Sequence, residues 1–403
     1  MTMFSESLLL LASVQSACLA TLLLFIICEY FISLDRPAAK VVLNTIIDEN
    51  HQPTMFLTYF RSYLLVFVAV AILAVDFQIF PRRFSKTEKY GHSLMDVGVA
   101  GFVFAAAVSK RLKALNLSNG EIVLRKYGLL RSSYVVLPLA GLLRTFMLTF
   151  MNYPHNVTEY GVHWNFFYTL SLVKIIYNSL PRRFPLLWAL VFGILQQSML
   201  MSGYEEWILN GENRRDTWFS ANAEGLCSLM GYIMIFYISD AVAKFICKTG
   251  IRVKSWIECC WHLYFFSLVF YGLQLGTEWT LGQPSRRVAN IPYVFSQMSF
   301  FTFSLATCLG VQLLSIIAWA ANVPHFSVDQ NPWCSVQPCL LSSINKSGLM
   351  FFLLANIFTG VINLVVDSHH ANDEVALCIL TFYLLTLCIV AHYRNFSKAS
   401  TKS

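Results

Sequence analysis

Long apolar stretches separated by short polar segments run along almost the whole chain, and their length is the first structural signal. They lie near Leu8–Cys28, 62–80, 94–109, 133–151, 162–180, 185–203, 220–246, 257–277, 291–321, 346–366 and 373–393. A helix rises 1.5 Å per residue and needs ~20 apolar residues to cross the hydrocarbon of a bilayer. The pattern therefore predicts an all-α polytopic helical membrane protein with about 11 transmembrane helices. The stretch 291–321 is long for one span and is read as a single helix. The first stretch has Glu6 but no basic residue before it and no small-residue cleavage site after it, so it is read as a span and not a cleaved signal. No soluble domain, low-complexity tract or internal repeat interrupts the series, and residues 1–403 form one membrane domain.

Composition agrees: 56% of residues are hydrophobic and 13% charged, with a mean hydropathy of +0.57. Alternating the loops from a lumenal N-terminus puts the larger share of Lys and Arg, including the cluster at 110–131 and the C-terminal Arg394, Lys398 and Lys402, on one side. By the positive-inside rule that side is cytoplasmic. The net charge of +7 reflects this bias and attraction to anionic headgroups, and makes no case for nucleic acid. The eleven cysteines are scattered, most of them within spans. Cys334 and Cys339 share a loop, but no second pair completes a ligand set, so no metal site is expected. The sequons at Asn156 and Asn116 fall on opposite sides and do not orient the chain.

The polar residues that interrupt this scheme gather at one predicted face. Asp76 sits in an apolar run five residues before Pro81, followed by Arg82, Arg83, Lys86 and, at the head of the next span, Asp96. A carboxylate at membrane depth costs at least ~2–3 kcal/mol on insertion scales and needs a partner. Lys86 is the partner expected, with the loop folding back over the helix end. Glu159, His163 and Asn165 head the 162–180 span; Asn222 and Glu224 open the 220–246 span; Arg286 and Arg287 lead into 291–321. Each has a plainer reading. Arginine pairs at membrane borders snorkel, His163 beside Trp164 suits an interface, and Asn356 with Asn363, either side of Gly360, suits interhelical hydrogen bonding. A desolvated carboxylate with an ammonium beside it can deprotonate a hydroxyl while the cation stabilises an oxyanion. Neither a G-x-S-x-G elbow nor a Ser/His/Asp triad is evident, which favours direct transfer over a covalent intermediate. On the residues alone, the chain is a membrane enzyme or a transporter.

AILAVDFQIFPRRFSKTEKYG (71–91), SLMDVGVAGFVF (93–104), TEYGVHWNFFYTLSL (158–172), SANAEGLCSLMGY (220–232), SRRVANIPY (285–293) and SINKSGLMFFLLANIFTGVINL (343–364) resemble, in order, the glycosylphosphatidylinositol (GPI) inositol-acyltransferase family of the PIG-W type. The resemblance covers about 61–393, the expected core. It implies acyl transfer from a long-chain acyl-CoA, palmitoyl-CoA by expectation, to the inositol 2-hydroxyl of glucosaminyl-phosphatidylinositol. The setting implied is the endoplasmic reticulum membrane, with motif-bearing loops toward the lumen and the C-terminus cytoplasmic. No cofactor is expected, and no protein partner follows from the sequence. The family's catalytic aspartate and lysine match Asp76 and Lys86. Charge complementarity and matching motif positions extend the site to Arg82, Arg83, Arg286 and Arg287 for phosphates, Asp96, Glu159 and Glu224 for the glucosamine ammonium, and His163 with Asn165 around the sugar, with Asn222 a further substrate-binding candidate. Family members have about 13 spans, so residues 1–60 read as a shortened N-terminal part. The rival readings are an acyltransferase for another lipid or sugar hydroxyl, and a transporter or scramblase gated by the Asp76 and Lys86 pair.

Overall fold

The computed structural model describes residues 24, 27–28, 55–118, 133–150, 160–210, 217–250, 252–322, 339–368 and 370–400. All of the expected first span but residues 24 and 27–28, together with Glu159, Cys334 and the Asn156 sequon, lies outside them. The ten later apolar stretches all appear as helices: α1 Met55–Ala74, α2 Val97–Ser118, α3 Ser133–Phe150, α4 Phe166–Ser179, α5 Pro185–Met199, α6 Ala223–Ile246, α7 Val253–Leu281, α8 Ile291–Asn322, α10 Gly348–Val365 and α11 Asp373–Ser400, with a short amphipathic α9, Cys339–Lys346, before α10. Among the described residues there is no strand. Among the described residues six helices are long and apolar enough to cross a membrane: α1, α5 with its continuation to Leu209, α6, α8, α10 and α11. α8 is one unbroken helix, as its sequence predicts.

α6 is the hub, buried nearly throughout and packed against α2, α4, α5 and α8. It can sit there because its apolar residues surround it on all sides, the mark of a central helix. α7 and α8 pair along much of their length, and α1 bridges α2 and α8 to a second group formed by α9, α10 and α11. In lipid, apolar side chains gain little by meeting each other instead of acyl tails, so close packing must hold the helices together. The ring edges of Phe60, Phe104 and Phe301, with centroids 5.4–6.1 Å apart, supply such a contact between α1, α2 and α8. Pairs of this kind add ~0.5–1.5 kcal/mol beyond burial.

Candidate functional site

α1 stops at Ala74, short of the predicted span end at 80. The next residues form overlapping turns, with Asp76 N–H donating to Leu73 O and Phe77 N–H to Ala74 O, before Pro81 excludes a helical residue ahead of it. Asp76 is therefore half-buried in a turn at the helix end and not within the span. Its carboxylate accepts a 2.8 Å hydrogen bond from Asn363 Nδ2 on α10, and Ser368 donates to Asn363 Oδ1 at 2.8 Å. Asn363 is thus the interhelical contact foreseen. Asn356 instead bonds within its own helix, to Phe352 O. Lys86 is exposed in the loop. Asp76 and Lys86 are carried on one segment, and the Asp76 carboxylate accepts from the Asn363 amide.

After Pro81 a turn of 3-10 helix, Arg82–Phe84, presents both arginines to the outside. Arg82 reaches back to Val75 O at 2.7 Å, and the Arg83 guanidinium lies 4.9 Å over the Phe84 ring. The second half of the loop is tied down. Gly91 N–H donates to Pro284 O at 2.8 Å, Ser285 Oγ donates to Lys89 O at 2.6 Å, and Tyr90 donates to Glu205 at 3.0 Å. Partial burial and then the Glu205 carboxylate push the Tyr90 hydroxyl up to about 12, so it stays a donor across the physiological range.

Asp96 closes this half. Its Oδ1 meets Arg286 Nε at 2.8 Å, its carboxylate accepts from both the Thr87 hydroxyl (2.8 Å) and backbone N–H (3.2 Å), and its own carbonyl accepts from Tyr293. Next to it, Arg287 donates to Glu224 Oε1 at 3.0 Å and to Ile208 O at 3.3 Å. All four charged side chains are buried. Asp96, Glu224, Arg286 and Arg287, expected to contact substrate, thus satisfy one another. Asp96 and Glu224 came from separate helices, so sequence spacing could not reveal the match.

The 285–293 turn that aims the two arginines is itself fixed. Asn290 Oδ1 accepts from Ser285 N–H and Tyr293 N–H, and Ala289 adopts a left-handed φ of 47°. α6 comes so close here that a Cβ on Gly231 would lie 2.1 Å from Ala289 O. Asn165 and Asn222 are likewise occupied. Asn165 caps α4 by accepting from Phe167 N–H and Tyr168 N–H and donates to Gly141 O, while Asn222 Oδ1 accepts from His163 N–H at 2.8 Å. His163 is exposed, whereas Asn165, two residues on, is buried.

Three residues that sequence reasoning missed converge beyond Gly91. His92 Nε2 lies 2.9 Å from Glu278 Oε1 on α7, and its Nδ1 lies 3.1 Å from Ser296 Oγ on α8. His92 and Ser296 line a cavity of about 950 Å³ bordered also by Arg83, Ser93, Tyr271, Leu268, Phe300 and Phe303. Glu278, an acid near the end of an apolar helix, was the available signal; its partner His92 is 186 positions away. A further pair, half-buried Arg111 Nε to buried Asp240 Oδ1 at 3.2 Å, lies toward the opposite end of α6. Among the described residues no group of His, Cys, Asp and Glu could hold a metal.

A family model described as GWT1 matches residues 1–394, the first sixty positions included. The glucosaminyl-phosphatidylinositol-acyltransferase PIGW of Bos taurus is 31% identical over 439 aligned residues, spanning 100% of this chain and 86% of that protein. PIGW of Homo sapiens is 31% identical across 87% of this chain and 75% of its own. The GPI-anchored wall transfer protein 1 of Schizosaccharomyces pombe is 32% identical across 83% of this chain and 71% of its own.

Proposed function

This chain belongs to the GWT1 family, and on that footing we propose that it acylates glucosaminyl-phosphatidylinositol in GPI-anchor assembly. The observation that carries the reading is similarity, along all or most of the chain, to proteins named for that activity. The donor is a long-chain acyl-CoA, the acceptor the inositol 2-hydroxyl, and the setting the endoplasmic reticulum membrane with the 75–96 loop on the lumenal side.

Asp76 takes the proton of the inositol hydroxyl as its oxygen attacks the acyl carbonyl. Asn363 supports this by fixing one carboxylate oxygen at 2.8 Å, which leaves the other for the hydroxyl. Lys86, on the exposed half of the loop, supplies positive charge to the developing oxyanion, as does any cation placed where charge builds up. The phosphate-binding role passes to Arg82 and Arg83, since the guanidinium groups of Arg286 and Arg287 are already engaged by carboxylates. His163, exposed on the 160–165 segment, remains a residue for the sugar. Asp96, Glu224, Asn165 and Asn222 hold the scaffold. Glu159 keeps its expected place near the amine of the glucosamine.

The reading is tested by following acyl transfer from radiolabelled palmitoyl-CoA to glucosaminyl-phosphatidylinositol in microsomes lacking the endogenous enzyme. The intact chain is expected to form product; Asp76→Asn and Lys86→Ala, at matched expression, should reduce it by ~10²–10⁴-fold, the range for loss of a positioned acid–base group. A well-expressed intact chain that forms no product rejects the activity. Full activity in both variants rejects the residue roles.

A further inference from the structure

His92 comes from the loop between α1 and α2, Glu278 from the last turn of α7 and Ser296 from the second turn of α8. A carboxylate can only accept, so Glu278 fixes the proton of the imidazole on Nε2. Nδ1 is then an acceptor, and Ser296 Oγ–H at 3.1 Å is its donor. Gln274 Nε2 donates to the same Glu278 oxygen at 2.8 Å from one turn back along α7, which holds the carboxylate in place. Gln274 Nε2 also lies 3.2 Å from His92 Nε2; with that nitrogen's hydrogen committed to Glu278, the contact is a close approach only. The order hydroxyl, imidazole, carboxylate is the arrangement that activates a nucleophile, and it is recognised by geometry and not by sequence order.

The surroundings suit an acyl group. The cavity follows α7 from Gln274 back to Tyr264, roughly 15 Å at 1.5 Å per residue. Its floor and rim include Leu268, Phe300 and Phe303, large apolar side chains that remain exposed. An apolar trough with a few polar groups at one end matches a ligand made of a hydrocarbon tail and a polar head. Arg83 borders that polar end. His92 is 44% exposed in its side chain, so the head can reach it.

We propose that Ser296, activated by His92 and Glu278, accepts the acyl group from the acyl thioester as a covalent ester before it passes to the acceptor, with the chain lying in the α7–α8 cavity. The inference deepens the acyltransferase reading and rests on it for the acceptor half. In the first half, the Ser296 hydroxyl proton moves to His92 Nδ1 as Oγ bonds to the thioester carbonyl carbon. The C–S bond breaks and CoA leaves as the thiolate, so the imidazole keeps its added proton. In the second half, Asp76 takes the acceptor hydroxyl proton, the oxygen attacks the Ser296 ester, and Oγ departs with the proton from His92. The sum is one ester formed, one thioester broken and one proton released through Asp76.

The test uses the full chain in lipid nanodiscs. A fluorophosphonate probe reacts with activated serines and requires neither acyl donor nor acceptor. It is expected to label the intact chain, to leave Ser296→Ala unlabelled, and to label His92→Ala at least ~100-fold more slowly. Palmitoyl-CoA alone should add one palmitoyl mass to the intact chain and to Ser296→Cys, which keeps a nucleophile. That variant also guards against a fold defect in Ser296→Ala. Labelling of the intact chain no greater than that of Ser296→Ala overturns the inference, as does full acyl transfer by Ser296→Ala. The latter result would leave the acyltransferase reading standing. Labelled Ser296 without any transfer to glucosaminyl-phosphatidylinositol would instead leave the nucleophile standing and reject the acceptor.

Discussion

Two arginine doublets, PRRF at 81–84 and SRRV at 285–288, look alike in the sequence, yet the fold gives them opposite surroundings. Arg82 and Arg83 stand outside on a turn of 3-10 helix, with a backbone carbonyl and an aromatic ring as company. Arg286 and Arg287 are buried, each against a carboxylate delivered by another element. The difference lies in what arrives opposite them. The second doublet enters a turn fixed by Asn290 and pressed by α6 at Gly231, which brings Glu224 within 3.0 Å. Burying an ion pair is costly, and losing one partner is worse, because the remaining charge has neither water nor a counter-ion. The first doublet keeps its water and so remains available to a phosphate.

Four variants bear on that contrast. The largest effect is expected from Arg287→Ala, which leaves Glu224 buried and unpaired; thermal melting in detergent should register a loss of ~3–5 kcal/mol. A melting curve matching the intact chain would end the scaffold assignment. Replacing both partners, with Arg287→Met and Glu224→Met, should recover most of that loss, to within ~2 kcal/mol of the intact chain, since the uncompensated charge disappears. If the double variant is no better than Arg287→Ala, the two side chains act through other contacts. The smallest effect on stability belongs to Arg82→Ala and Arg83→Ala: surface changes of this kind stay within ~0.5 kcal/mol. Their effect should fall on acyl transfer, at about 10-fold each, or ~1.4 kcal/mol. Stability loss equal to that of Arg287→Ala would erase the distinction between the doublets.

The helices were legible because bilayer thickness imposes a length that apolar runs report directly. Even so, α1 ends at Ala74 and the chain continues in turns up to Pro81, whose ring disfavours a helical conformation at Phe80. The candidate site was legible only where its chemistry is local. Asp76, Arg82, Arg83 and Lys86 share one segment, and their exposure or half-burial keeps them eligible. Asp96 and Glu224 carried the same signal of an acid at a span head, but their cations came from a distant turn. His92 carried hardly any signal, because its meaning depends on Glu278 and Ser296 from two other helices. The rule that singled out Asp76 applies more strictly to Asp240, which lies within the apolar run of α6 and is taken up by Arg111. Glu224 and Asp240 stand roughly 24 Å apart along that helix at 1.5 Å per residue, so α6 is pinned electrostatically near both ends.

The apolar side chains along the α7–α8 cavity that remain exposed, Leu268, Phe300 and Phe303 among them, have a consequence for how concentration is reckoned. A trough open toward hydrocarbon is filled from a two-dimensional solution, in which mole fraction among the lipids, and not molarity in water, sets occupancy. Bulk lipid and detergent tails then act as both solvent and competitor, and the same number of substrate molecules becomes effectively scarcer as the surface that carries them is enlarged.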